Sequence, residues 1–233
     1  RVVTDFLKWL EKKYGELQTS RGRTHSYLGM ELDYQEKGKV RIGMTRYVQE
    51  VIAGFPEPII SSAATPAANH LFSVNEQGKK LPEEMSREFH HTVAKLLFLC
   101  RRARPDIMTA VAFLTTRVKE PDEDDWKKLV RVLKYLRGSQ FLRLRLGADK
   151  TTTLRWWVDA SFAIHNDCRG QSGGMMLLRA GAIFSASWKQ KLNRRSSTDN
   201  ELIGIDDFMG QILCTLYFMR TQGYNIEHNI MLQ

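Results

Sequence analysis

Apolar residues along the chain change period several times, and each change marks an element. Residues 2–14 carry Val3, Phe6, Leu7, Leu10 and Tyr14 at helical spacing, so the chain is expected to open on an amphipathic helix stopped at Gly15. The period then shortens to alternation: 27–34 and 39–44 read as two strands of a hairpin turning at Gln35–Gly38. Thr45 can cap a short helix with Tyr47, Val48, Val51 and Ile52 inward, ending at Gly54.

Residues 55–83 hold most of the prolines together with Ser, Ala and Gly, and are expected to separate two packing units. Helical spacing returns with Phe89, Val93, Leu96, Leu97 and Cys100, breaks at Pro105, and resumes through Ile107, Val111, Leu114 and Val118. The acids of 121–126 suit a helix N-terminus ahead of Leu129, Val130, Leu133 and Leu136, and Gly138 stops that helix. FLRLRLG (141–147) alternates Leu with Arg as a half-buried strand. Segments 154–162, 171–179 and 182–190 give three more strands, the last two joined by a tight turn at Ala180–Gly181. From Thr198 to about Gln222 a long helix is expected to turn Leu202, Ile205, Met209, Ile212, Leu213 and Leu216 inward, and 226–232 is a last strand.

Composition adds a partner class. The 233 residues carry 35 Lys+Arg against 26 Asp+Glu, a net charge of +9, which favours a polyanion. Three separated cysteines fit neither a disulfide framework nor a zinc site and point to a reducing, cytoplasmic or nuclear compartment, with Cys100 and Cys214 as small core residues. No continuous apolar run has the length of a membrane span, so no membrane partner is expected. The absence of a starting Met and the strand-like ending suggest a piece of a longer polypeptide.

Motifs in order then carry a resemblance. YLGMEL (27–32), ATP (64–66), LLFLCRRARPDIMTAVAFL (96–114), WKKLVRVLKYLRGS (126–139), WVDASFA (157–163), RGQSGGMMLL (169–178), AIFSASWKQK (182–191) and SSTDNEL (196–202) resemble segments of copia-type retrotransposon Pol polyproteins, in the reverse transcriptase and ribonuclease H region. The resemblance implies a mixed α/β chain in three parts. Residues 1–60 would end a polymerase palm with a primer-grip-like β-hairpin, 61–149 would form a helical thumb and connection, and 150–233 a ribonuclease H-like domain truncated at its C-terminus. The Tyr-x-Asp-Asp motif of the polymerase site does not occur here, so copying a template is not expected of these residues alone.

The resemblance also assigns a site. Asp159 and Glu201 stand where the family holds Mg²⁺ or Mn²⁺ for two-metal hydrolysis of RNA in RNA–DNA hybrids, and the third ligand, an Asp, would follow Gln233. The 233 residues are therefore expected to be nearly inactive alone. Spacing leaves Thr198-x-x-Glu201 open as a capping box, and Asp159 as a strand-end turn former. Asp206 and Asp207 read as helix-surface acids. Arg155, Arg169, Lys189, Lys191, Arg194 and Arg195 surround the proposed cleft in sequence and can meet phosphates; Tyr27 and Gly29 can meet a primer terminus. Trp188 can stack on a base, or sit in the core. Implied partners are primer–template, hybrid nucleic acid and the rest of the polyprotein. The alternative function is a non-catalytic nucleic-acid-binding remnant.

Overall fold

The structure is a computed structural model that describes residues 2–147, 153–178, 180–193 and 195–232. It is mixed α and β, as expected. The order is α1 (Val2–Tyr14), β1 (Thr24–Tyr27), β2 (Met30–Asp33), β3 (Lys39–Gly43), α2 (Thr45–Ala53), α3 (Glu83–Cys100), a 3-10 turn (Pro105–Ile107), α4 (Met108–Thr115), α5 (Glu123–Gly138), β4 (Leu144–Gly147), β5 (Thr153–Ser161), β6 (Arg169–Leu177), β7 (Ala182–Asn193), α6 (Ser197–Thr221) and β8 (His228–Leu232).

The expected strand 27–34 is cut in two. Leu28 and Gly29 both take positive φ, 49° and 75°, and make the two-residue turn that pairs Tyr27 with Met30. Positive φ at both central positions matches the twist of a tight hairpin, and Gly29 takes it without strain. The first sheet therefore runs β1-β2-β3-β4, with β4 arriving from the far side of the helices to pair antiparallel with β3.

The proline-rich segment joins what it was expected to separate. Met44, Val48, Val51 and Phe55 before it, and Phe89, Val93, Leu96 and Leu133 after it, share one core, into which Ile59, Leu71 and Leu81 of the segment itself are buried. Thr45 begins α2 without a side-chain cap, whereas Asp122 caps α5 in a capping box with Asp125, and Arg117 pairs with Asp125 at 2.9 Å. No residue of α1 is buried; Val2, Val3, Phe6, Trp9 and Tyr14 are exposed.

The second sheet has the order β7-β6-β5-β8, and α6 is the crossover that sets β8 parallel to β5. Helix α6 covers one face. The residues it buries are Asn200, Gly204, Phe208 and Ile212, one per turn; of the expected stripe Ile212 is buried and Leu216 packs against the core, while the rest is turned further out. Leu202, Met209 and Leu213 are exposed, and so is Cys214. The cause is shape. Gly174 of β6 leaves room for the Phe208 ring, whose atoms a Cβ at that position would meet at 2.6 Å, and Gly204 lets the helix backbone down onto Val158 and Ala160. Among the described residues α6 alone is long and apolar enough to cross a membrane by length and composition, a criterion that soluble core helices also meet. Its middle, however, is held to the sheet by Asp207, which accepts from Ser172 Oγ at 2.8 Å and Trp188 Nε1 at 3.1 Å.

The other face of the second sheet meets the helical part of the chain. His165, in the loop between β5 and β6, sits under Phe72 and Phe113 and shares a 2.9 Å hydrogen bond with Gln171. Asn166 next to it pairs with both backbone groups of Val74, at 3.0 and 3.3 Å. Burial draws the His165 pKa below the ordinary imidazole value, with the Gln171 hydrogen bond opposing the shift. A depressed histidine contributes its stability fully above the unfolded value of about 6.5 and loses it as pH falls through the folded one. The urea midpoint of the chain is therefore expected to fall as the pH is lowered below about 6.5. His165→Gln should flatten that dependence; an equally steep fall in the variant would assign it to other groups.

Candidate functional site

Strand alternation and register define one sheet face. Leu154, Trp156 and Val158 point into the α6 side and are buried, so Arg155, Trp157, Asp159 and Ser161 lie on the opposite face. Asp159 pairs across with Gly173, and Gly173 with Ser187, while Ser161 pairs with Gln171 and Gln171 with Lys189. Lys189 thus shares the face of Asp159. A cleft of about 310 Å³ opens over these residues, lined by Trp157, Asp159, Gln171 and Ser187 from the sheet and by Phe72 and Met108 from across. Gly173 leaves the floor beside Asp159 bare: a Cβ there would come no nearer than 4.0 Å to the Asp159 carbonyl.

Asp159 is exposed, and among the described residues its side chain accepts one hydrogen bond, from the amide of Ala160 to Oδ1 at 2.8 Å. Glu201 is half-buried in the first turn of α6. That turn is fastened close to Asp159, because Asn200 donates to the Ser161 carbonyl at 2.9 Å and Gln190 donates to the Asn200 carbonyl at 3.1 Å. The actual N-cap is Ser196, which accepts from the amide of Asp199, so Glu201 is not the reciprocal member of a capping box. It has no hydrogen bond or ion pair among the described residues. Glu201 does not line the cleft over Asp159. Both carboxylates sit at the end of β5, one on the open face and one on the helix that covers the other.

The basic residues divide by what holds them. Lys189 and Arg169 both pair with Asp167, at 2.7 and 3.4 Å. Burial pushes the Asp167 pKa up, but the Lys189 hydrogen bond and charge outweigh it and hold the carboxyl below its ordinary value. Arg155, Lys191 and Arg195 are exposed without an ion pair among the described residues, and Arg194 lies outside the described residues. Tyr27 and Gly29 are at the exposed tip of the first sheet, away from the second. Trp188 is a packing residue: it stacks on Phe208 with ring centroids 4.5 Å apart. Asp207, expected as a surface acid, is its hydrogen-bond partner. The polar joint of Ser172, Gln190, Asn200 and Asp207 has no signature in the sequence, since nothing in residue spacing marks which polar groups meet across a sheet and a helix.

No protein-family model matches the chain. It is 28% identical over 205 residues to the retrovirus-related Pol polyprotein from transposon RE2 of Arabidopsis thaliana, and 25% identical over 224 residues to that from transposon TNT 1-94 of Nicotiana tabacum. These alignments cover 88% and 90% of the chain but only 14% and 16% of the two polyproteins. It is also 29% identical over 133 residues to secreted RxLR effector protein 161 of Plasmopara viticola, covering 56% of the chain and 94% of that protein.

Proposed function

Taking the chain as a retrotransposon Pol segment, the relationship carried by alignments over about nine-tenths of its length, we propose that it belongs to the part of the polyprotein that handles RNA–DNA hybrids and supplies two carboxylates for hydrolysis of their RNA strand. The observation that supports this reading is Asp159: an exposed carboxylate on an inner strand, over a glycine-floored cleft, with Arg155 and Lys189 on the same face. Among the described residues Asp159 has no cationic partner, and it accepts one hydrogen bond, from its neighbour's amide.

Hard carboxylate oxygens suit Mg²⁺ or Mn²⁺, and neither Asp159 nor Glu201 is tied to a cation among the described residues. Among those residues no group of three His, Cys, Asp or Glu side chains is placed to hold a metal, so under this reading further ligands would have to come from outside them. Bound there, the ions would activate a water and offset charge on the departing oxygen. The chain's own part is to hold Asp159 rigid in the sheet, to keep Glu201 at the end of β5 through Asn200, and to bring cationic side chains to the strand's phosphates. Polymerisation and template choice are functions of the larger polyprotein under the same reading. A second reading, binding of nucleic acid without hydrolysis, is favoured by one observation: Glu201 stands outside the cleft over Asp159.

The test uses a Pol polypeptide that contains this segment, with a labelled RNA–DNA hybrid and Mg²⁺. Asp159→Asn and Glu201→Gln are each expected to slow RNA cleavage by about 100-fold, the scale of losing one electrostatic group from a reacting centre, with hybrid binding kept. Cleavage undiminished in Asp159→Asn would remove this site from the reaction. Hybrid binding without any cleavage by the wild type would establish the second reading.

A further inference from the structure

A larger cleft lies elsewhere. About 920 Å³ lies between the segment 61–75 and α5, and the basic residues of that helix line it. Lys127, Arg131 and Lys134 recur at i, i+4 and i+7, so they form one stripe about 10 Å long at 1.5 Å per residue. Their partners differ. Lys127 pairs with Asp124 at 2.8 Å. Arg131 and Lys134 have no carboxylate partner among the described residues. Arg131 donates through Nη2 to Thr65 Oγ1 at 2.9 Å, and its Nε is shut off from solvent with no acceptor. The Nε is thus closed to the cleft as well, but the guanidinium lines the cleft with no carboxylate to neutralise it, and an anionic oxygen there would supply the missing charge. The opposite wall is small residues from Ser61 to Ala68 followed by His70 and Leu71, and the two carboxylates that also line the cleft are engaged, Glu57 by Trp126 Nε1 at 2.7 Å and Asp124 by Lys127.

We propose that this cleft binds the sugar–phosphate backbone of a nucleic-acid strand, with Arg131 and Lys134 as its phosphate contacts. The stripe is longer than one phosphate group and is open at the surface, which suits a chain of phosphates better than a single anion. Lys128, which lies beside the stripe, is a wall and not a contact: it donates to the Ser73 carbonyl and lies over the Phe113 ring at 4.6 Å. The segment that closes the cleft also reaches the second sheet. His70, Leu71 and Ser73 line the α5 cleft, Phe72 between them lines the cleft over Asp159, and Val74 is held by Asn166. A strand held along α5 would therefore lie on the other side of one short segment from the carboxylate face. The inference rests on the nucleic-acid reading above and adds a binding surface on α5, within the segment 126–139, to the carboxylate face.

Fluorescence anisotropy of the 233-residue chain with a labelled hybrid, titrated from low to moderate salt, tests it. Arg131→Gln with Lys134→Gln is expected to weaken binding about tenfold and to lower the slope of log K against log salt by about two, one for each cation removed from a phosphate. Arg46→Gln with Arg87→Gln, which removes the same charge from exposed positions outside the cleft, should change the slope by less. Should the double variant fold poorly, Lys134→Gln alone is expected to lower the slope by about one. Wild-type binding with an unchanged slope in these variants would overturn the cleft while leaving the hydrolytic site standing. Saturation of the cleft by pyrophosphate or a mononucleotide, with no effect of either variant on hybrid binding, would assign it to a small phosphorylated ligand and equally overturn the proposal. Loss of RNA cleavage in Asp159→Asn is a separate readout, so the two proposals can fail independently.

Discussion

Asp106→Ala is expected to destabilise the chain by about 3–5 kcal/mol, because it leaves a buried guanidinium without its carboxylate. Arg104 is 2% exposed, and its Nε and Nη2 fork onto the Asp106 carboxylate at 2.7–3.2 Å. Its remaining donors reach the carbonyl and hydroxyl of Ser139 at the end of α5, at 2.9 and 2.7 Å, while Tyr135 of α5 donates to Asp106 at 2.8 Å. The Arg-Pro-Asp-Ile run thus does more than break a helix. Pro105 starts the 3-10 turn, Ile107 goes into the core, and the Arg and Asp on either side of the proline fasten that corner to α5. Burial raises the Asp106 pKa, but the Arg104 hydrogen bonds and charge outweigh it and leave it lowered. A lowered carboxyl contributes stability above the unfolded value of about 4 and loses it as pH falls through the folded one. Urea unfolding at pH 7 measures the loss. Arg104→Met combined with Asp106→Leu should cost less than Asp106→Ala alone, since no charge is then stranded; the reverse order would show that the pair is not acting as a buried ion pair.

Local patterns were legible and long-range placement was not. The capping of α5 was readable from Asp122 to Asp125, and the break at Pro105 from the proline itself, because both act on their own backbone. Strand β4 was readable as a strand, but its partner β3 lies about a hundred residues earlier, and no local property of FLRLRLG names that partner. The Leu28–Gly29 turn interrupts a run that alternates well enough to pass for one strand. On α5 the apolar positions 129, 133 and 136 mark the core face, while the cations 127, 131 and 134 on the other side of the same helix gain meaning only from the segment that folds over them. Asp159 is a candidate through the resemblance, and its sheet face follows from strand period two alone; the surroundings of Glu201 follow from neither, because they depend on where α6 begins and which side of it touches the sheet.

That dependence makes Phe208→Ala the sharpest test of the second unit, with an expected loss of about 3–5 kcal/mol. Helix α6 carries two candidate inner faces. Hydrophobicity alone favours the stripe from Leu202 through Ile205, Met209, Ile212 and Leu213 to Leu216, of which Leu202, Met209 and Leu213 are exposed; shape favours Asn200, Gly204 and Phe208, and the two faces share Ile212. Phe208 is fully buried, stacked on Trp188 and edge-on to Phe184 at 6.4 Å, and its ring occupies the space that Gly174 leaves. Removing it opens a cavity at the joint that seats the helix, and Asp207 beside it loses the packing that aligns it with Ser172 and Trp188. Leu213→Ala, on the exposed side, should cost less than about 1 kcal/mol. Gly174→Ala alone should destabilise, since its Cβ meets the ring, yet in the Phe208→Ala background it should recover part of the loss by filling the hole. Hydrogen exchange reports the functional consequence: amides of the first turn of α6, including that of Glu201, should lose protection in Phe208→Ala. Equal costs for Phe208→Ala and Leu213→Ala would mean that the apolar stripe seats the helix after all, turning Asn200 and Glu201 away from the end of β5.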